Sequence, residues 1–240
     1  AEPTVTVNND LTPANPIVGQ SISISATVTG ANGYDPTGGQ VQFRVRRAAD
    51  TDASDEENLG SPVALVESGG VWTATLTNAP TGADGSETET SGSYVITADF
   101  LGTATLDNAT SQDFPFSLSL GSPTLTLSFV SGATMTVGDS NQVRAVLSNP
   151  GSVNPSRFDD NGATIQFRDG ATVLATVTVS NIGGVGYGAQ FNADTLGADT
   201  YDVTAYYSGN NYFDSATSNT GTLTVNQFVP TVTMQNITAV

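Results

Sequence analysis

The sequence predicts an all-β protein, built from antiparallel sheets packed face to face and repeated along the chain. Three observations carry this: apolar and polar residues alternate in short segments, turn formers separate those segments, and sequence blocks recur in a fixed order. The 25 Gly and 11 Pro punctuate stretches rich in Val, Thr and Ser, whereas helix formers are scarce, with no lysine and no long Ala/Leu/Glu run. With 240 residues, the chain can form one large or two ordinary domains, each burying its own core.

The strands follow from a period of two. Ile22, Ile24, Ala26 and Val28 share one face, and Val143, Ala145 and Leu147 do the same later in the chain. Val41, Phe43 and Val45 point one way, and Gln42 and Arg44 the other. Tyr94, Ile96, Ala98 and Phe100 alternate, as do Tyr201, Val203, Ala205 and Tyr207. Phe114, Phe116, Leu118 and Leu120 close the first unit, and Leu223 and Val225 the second. About seven strands in each unit of roughly 110–120 residues is the pattern of an immunoglobulin-like β-sandwich, here without disulfides because the chain has no cysteine.

The repeats set the boundaries. Pro3-Thr-Val-Thr-Val7 recurs as Pro123-Thr-Leu-Thr-Leu127 and as Pro230-Thr-Val-Thr-Met234. Val18-Gly19-Gln20 recurs as Val137-Gly138-Asp139, and Val41-Gln-Phe-Arg44 as Ile165-Gln-Phe-Arg168. Ser93-Tyr-Val-Ile-Thr-Ala-Asp-Phe-Leu-Gly102 matches Thr200-Tyr-Asp-Val-Thr-Ala-Tyr-Tyr-Ser-Gly209, and Asn108-Ala-Thr-Ser111 matches Ser215-Ala-Thr-Ser218. The expected domains are 1–121, 122–229, and a segment 230–240 that is either the first strand of a third domain or a strand exchanged with a neighbouring subunit. Pro230, Val232, Met234 and Ile237 are its expected contact residues. The junctions Gly121-Ser122 and Phe228-Val229 are short, unlike a flexible Gly/Ser linker.

Charge and composition exclude several function classes. Six arginines stand against 23 acids, a net charge of -17, which repels phosphate backbones and anionic lipid and disfavours nucleic acid as a partner. The chain has no histidine, the commonest general base, and no cysteine nucleophile; without lysine it cannot form a Lys–Asn isopeptide bond. No stretch approaches the roughly 18 apolar residues of a membrane span, so no membrane insertion is expected. The start at Ala1-Glu2-Pro3 fits a mature N-terminus or a cut fragment equally well.

The opening Pro-Thr-x-Thr, the Val-Gly-Gln/Asp block, the Tyr-x-Val-Thr-Ala-Tyr-Tyr-Ser-Gly-Asn-Asn-Tyr-Phe run ending at Phe213 and the closing Leu-Thr-Val resemble bacterial immunoglobulin-like (Big-type) tandem repeats of surface proteins and adhesins. The resemblance implies secretion, a cell-surface location and tandem arrangement, and it carries no catalytic residues. The first repeat departs from the pattern through insertions at 46–58 and 80–92.

Within the first insertion, Asp50, Asp52, Asp55, Glu56 and Glu57 cluster hard oxygen ligands of the kind Ca²⁺ takes, six to eight at about 2.3–2.6 Å. Their spacing is not that of an EF-hand, and the plainer reading is a solvated hairpin loop. Arg157-Phe-Asp159-Asp160-Asn161-Gly162 is a smaller candidate cluster, although Asp-Asn-Gly before a strand is more often a turn. Trp72, the only tryptophan, is either core or an exposed platform for a sugar ring. Tyr206 and Tyr212 are expected to be exposed, and Arg44, Arg46 and Arg47 to pair with nearby carboxylates.

These features predict a non-catalytic structural or adhesive segment of an extracellular microbial surface fibre. Its partners would be neighbouring immunoglobulin-like domains or identical subunits. The alternative is a module binding a host or surface glycan. Calcium is the one cofactor in question.

Overall fold

The computed structural model describes residues 1–50, 56–82, 86, 88–149 and 153–233. Its strands are, in order, β1 (Thr4–Val7), β2 (Ile22–Thr29), β3 (Gln40–Arg47), β4 (Glu57–Asn58), β5 (Val63–Ala64), β6 (Val66–Ser68), β7 (Val71–Ala79), β8 (Gly92–Phe100), β9 (Ala109–Thr110) and β10 (Phe114–Leu118). The second half adds β11 (Thr124–Phe129), β12 (Thr134–Thr136), β13 (Gln142–Ser148), β14 (Thr164–Asp169), β15 (Thr172–Thr178), β16 (Ser180–Asn181), β17 (Tyr187–Asn192), β18 (Asp199–Tyr207), β19 (Ala216–Thr217) and β20 (Gly221–Asn226). Two compact units form. Unit 1 comprises Ala1–Pro123 with Asn149–Asn161 and Gly209–Asp214; unit 2 comprises Thr124–Ser148, Gly162–Ser208 and Ser215–Val240.

Each unit is an immunoglobulin-like sandwich. In unit 1 one sheet runs β1-β2-β7-β6 and the other β10-β8-β3-β4, with β5 also on β3 and β9 on β8. Unit 2 repeats the order as β11-β13-β17-β16 facing β12-β20-β18-β14-β15, with β19 on β18. These are the ABED and GFC sheets of that fold. The first strand of each repeat also changes sheets. After β11, β12 pairs parallel with β20, and after β1, Ile17 makes a parallel bridge to Ser119.

The recurring sequence blocks now have physical causes. In Val18-Gly19-Gln20 the Gln20 amide donates to the Ile17 carbonyl at 3.1 Å, and the Asp139 amide donates to Thr136 at 2.9 Å in the second repeat. The glycines sit at φ 84° and 89°, the left-handed conformation that position i+2 of a type II turn demands. The Gln or Asp is required too, because the Gln20 and Asp139 side chains accept the Ile17 and Thr136 amides at 3.2 and 2.8 Å. A Cβ on residue 138 would touch nothing within 4 Å, so Gly138→Ala isolates backbone strain. It is expected to cost about 1–2 kcal/mol, read as a fall in the thermal midpoint of unit 2 by circular dichroism. A neutral outcome would show that this turn tolerates another backbone conformation.

The Tyr in the late strand block is a tyrosine corner. Tyr94 donates its hydroxyl to the Thr90 carbonyl at 2.5 Å, and Tyr201 donates to Gly197 at 3.1 Å, each four residues upstream. Two residues on, where disulfide-bearing immunoglobulin domains place a cysteine, stand the buried Ile96 and Val203. The Ala-Thr-Ser block is equally specific: the Ser111 and Ser218 hydroxyls accept the Ala98 and Ala205 amides at 2.9 Å, while their own amides donate back to the same residues.

The cores are the alternating positions. Ile22, Ile24, Ala26 and Val28 meet Val41, Phe43, Val45, Tyr94, Ile96 and Phe100 in unit 1. Val143, Ala145 and Leu147 meet Ile165, Phe167, Val203, Ala205 and Tyr207 in unit 2. Alternation fails in several places, Ser25 of β2 among them. β8 also buries Val95 and Thr97 on its other face. Gln42, expected to face outward, is buried on that side too, and it stays satisfied by donating to the Phe43 and Gly60 carbonyls at 2.7 and 3.0 Å.

Tyr212 corrects the expectation of an exposed ring. It is 1 % exposed, donates its hydroxyl to the Gly82 carbonyl at 2.9 Å, and lies 4.7 Å from the Arg157 guanidinium. Next to it Phe213 stacks on Phe158 with centroids 4.2 Å apart. The side chain of Asn210 ties these segments. Its oxygen accepts the Tyr212 and Phe213 amides at 2.9 and 3.0 Å, and its nitrogen donates to the Arg157 carbonyl at 2.6 Å. This is the role of the Gly-Asn-Asn-Tyr-Phe run. In the first repeat Thr103 takes the place of Asn210, accepting the amides of Thr105 and the buried Leu106.

Candidate functional site

One groove of unit 1, about 290 Å³, is lined by two aromatic residues, Tyr34 and Trp72, with Asp35, Val71 and residues of β2. Two tight turns build its rims. Ala31-Asn32-Gly33-Tyr34 closes with the Tyr34 amide donating to Ala31 at 3.0 Å, and Asn32 and Gly33 at φ 54° and 80° make it type I′. Gly69 and Gly70, at φ 61° and 84°, join β6 to β7 in the same way, and Glu67 accepts the Gly70 amide at 2.6 Å. Both rims are therefore held by short hydrogen-bonded turns.

Trp72 lies in this groove and resolves neither wholly as core nor as exposed platform. It pairs with Val28 across β2 and shares the inward phase of Ala74 and Leu76, yet it is only half-buried. Core packing covers Ala74 and Leu76 but gives out at the end of the strand where Trp72 stands. Tyr34 faces the same groove, 52 % exposed. Tyr34 and Asp35 were not legible as site residues; the signal was the Asn32-Gly33 turn that presents them.

The acidic insertion is divided. Asp52 and Asp55 lie outside the described residues. Glu56 faces Arg46 at 3.4 Å and accepts from the Thr97 hydroxyl at 3.4 Å. Arg46 also reaches Asp113 at 2.6 Å and donates to the Asp50 carbonyl at 2.6 Å. Among the described residues no three acidic side chains converge on one point. Arg46 already meets the charge of Glu56.

The other arginines also have partners. Arg44 lies 2.6 Å from Asp99, although its N–H is not aimed at the carboxylate. Arg47 donates to Thr90 at 2.7 Å and lies over the Tyr94 ring. Arg168 covers Tyr206, which is half-buried rather than free. The cluster at 159–162 ends a kinked 3₁₀ segment, Pro155–Gly162: Arg157 pairs with Asp160 at 3.0 Å, and Asn161 takes φ 59°.

Two further features concern strands. Among the described strands β1 pairs only with β2 and β10 only with β8, although Ile17 bridges to Ser119 just beyond β10, and a groove of about 340 Å³ is lined by Thr4–Val7, Gln112, Asp113 and Phe114. Residues 227–233 form no strand. Phe228, Val229 and Val232 are 69, 82 and 84 % exposed, and Pro230 is exposed as well. Met234 and Ile237 lie outside the described residues.

No protein-family model and no curated protein sequence matches the chain. Among solved structures it is similar to the Escherichia coli adhesin FdeC, at 16 % identity over 93 % of this chain and 63 % of that one, with a TM-score of 0.32. It is also similar to latent PorU from Porphyromonas gingivalis, at 14 % identity over 95 % of this chain and 20 % of that one (TM-score 0.32). A third likeness is to a complex of Dpr2 Ig1-Ig2 with DIP-Theta Ig1-Ig3, at 14 % identity over 94 and 99 % of the two chains (TM-score 0.29). The chain thus spans less than two thirds of the first two structures. Its immunoglobulin-like character rests on strand order and the two tyrosine corners.

Proposed function

We propose that this chain is a non-catalytic structural or adhesive segment of an extracellular microbial surface fibre, built from tandem immunoglobulin-like domains. The observation that carries the reading is the exposed apolar segment at 228–232. Gln227 to Thr233 holds no charge in a chain of net charge -17, and its Pro230-Thr-Val-Thr repeats the Pro3-Thr-Val-Thr that enters β1, where Val5 is buried. An uncharged segment of high β-propensity that leaves valines and a phenylalanine in water is a surface for pairing. In the fibre it is covered by a neighbouring immunoglobulin-like domain or an identical subunit, with Met234 and Ile237 continuing the contact. Where the neighbour is a second copy, the edges of β1 and β10 offer a place for an added strand.

Antibody labelling of intact producing cells tests the surface assignment. Label along extended extracellular fibres is the expected result, and label confined to the cell interior overturns it. Within this reading the loop at 50–57 is the place for calcium. Chelation then lowers the melting of unit 1, and a midpoint unchanged by chelation makes the loop a solvated hairpin.

A further inference from the structure

We infer that the groove between Tyr34 and Trp72 is a binding site for an uncharged sugar. Four properties of the groove point to that class. First, Tyr34 and Trp72 put two aromatic side chains on one concave surface, and the apolar C–H face of a pyranose ring packs on such rings while its hydroxyls stay wet. Second, a hydrogen-bonding group stands beside the rings: the Asp35 carboxylate lines the groove and is exposed.

Third, the rims are preorganised. Both are two-residue type I′ turns with internal hydrogen bonds, so little conformational freedom remains to be lost when a weak ligand binds. Fourth, charge selects among sugars. No arginine lines the groove, and Asp35 and the net charge of -17 repel sialic, uronic or sulfated sugars. At about 290 Å³ the groove is at the small end of ligand sites, suited to a terminal residue or a short unit of a glycan.

The inference deepens the adhesive half of the function proposed above and names what would be adhered to. The two fail separately, because sugar binding is measured on the isolated chain and the fibre assignment on cells.

Trp72 is the only tryptophan, so its fluorescence reports the groove directly. The test is a titration of the full chain with methyl glycosides of glucose, galactose, mannose and N-acetylglucosamine, with sialyllactose as the acidic comparator. Calorimetry on the same samples detects binding that leaves the emission unchanged. Saturable binding of at least one neutral glycoside is expected. Tyr34→Ala, at an exposed turn where folding is not at stake, weakens it about five-fold or more, the size of one aromatic contact. No saturation by either method, equal affinity in Tyr34→Ala, or tighter binding of sialyllactose would each overturn the assignment.

Discussion

Replacing Phe213 by alanine is expected to cost unit 1 about 3–5 kcal/mol and to lower its unfolding midpoint by roughly 10–20 °C. Phe213 is fully buried, stacked on Phe158, and held by its amide to the Asn210 side chain. The loss would be a large share of the roughly 5–15 kcal/mol that stabilises a domain. The readout is specific. Trp72 belongs to unit 1, so its fluorescence follows that unit's transition, although Phe213 lies in the second repeat of the sequence. Phe213→Leu, which keeps most of the apolar volume, should recover most of the loss. A Trp72 transition unmoved by Phe213→Ala would show that Gly209–Asp214 contributes nothing to the core of unit 1.

A loss of similar size is expected for Tyr94→Ala, about 3–5 kcal/mol, because its ring is fully buried against Phe116 at 5.7 Å. Tyr94→Phe separates the two contributions of this side chain. It keeps the ring and removes only the hydroxyl bond to Thr90, at a cost of about 0.5–1.5 kcal/mol. If the two variants lost the same stability, the corner hydrogen bond rather than the buried ring would be holding β8 in place.

The fold was legible because its causes are local. Period-two alternation marked the strands, and the Val-Gly-Gln/Asp and Ala-Thr-Ser blocks recur because each closes its own hydrogen bonds within a turn or a strand pair. The tyrosine corners were present in the sequence as repeated Tyr residues, but their meaning depends on a carbonyl four residues upstream being brought under the hydroxyl. The burial of Gln42 depends on Gly60, and that of Tyr212 on Gly82, contacts that no periodicity encodes. The site was harder to see. Trp72 drew notice for its rarity, yet its half-exposure is set by where the core ends, and Tyr34 enters the groove only through a turn whose purpose is geometric. The acids at 50–57 stand out in composition, while the structure gives the charge of Glu56 to Arg46 on the adjacent strand, a pairing that composition does not encode.

Hydrogen exchange measures the covering of residues 228–233 directly. Amides of this segment, without a ladder in the isolated chain, should exchange at the rate of open peptide when the purified chain is placed in deuterated buffer. In fibres sheared from the producing cells the same amides should be protected, with the change concentrated from Phe228 to Thr233. Equal, rapid exchange in both samples would contradict the proposal that this segment is where one immunoglobulin-like module meets the next.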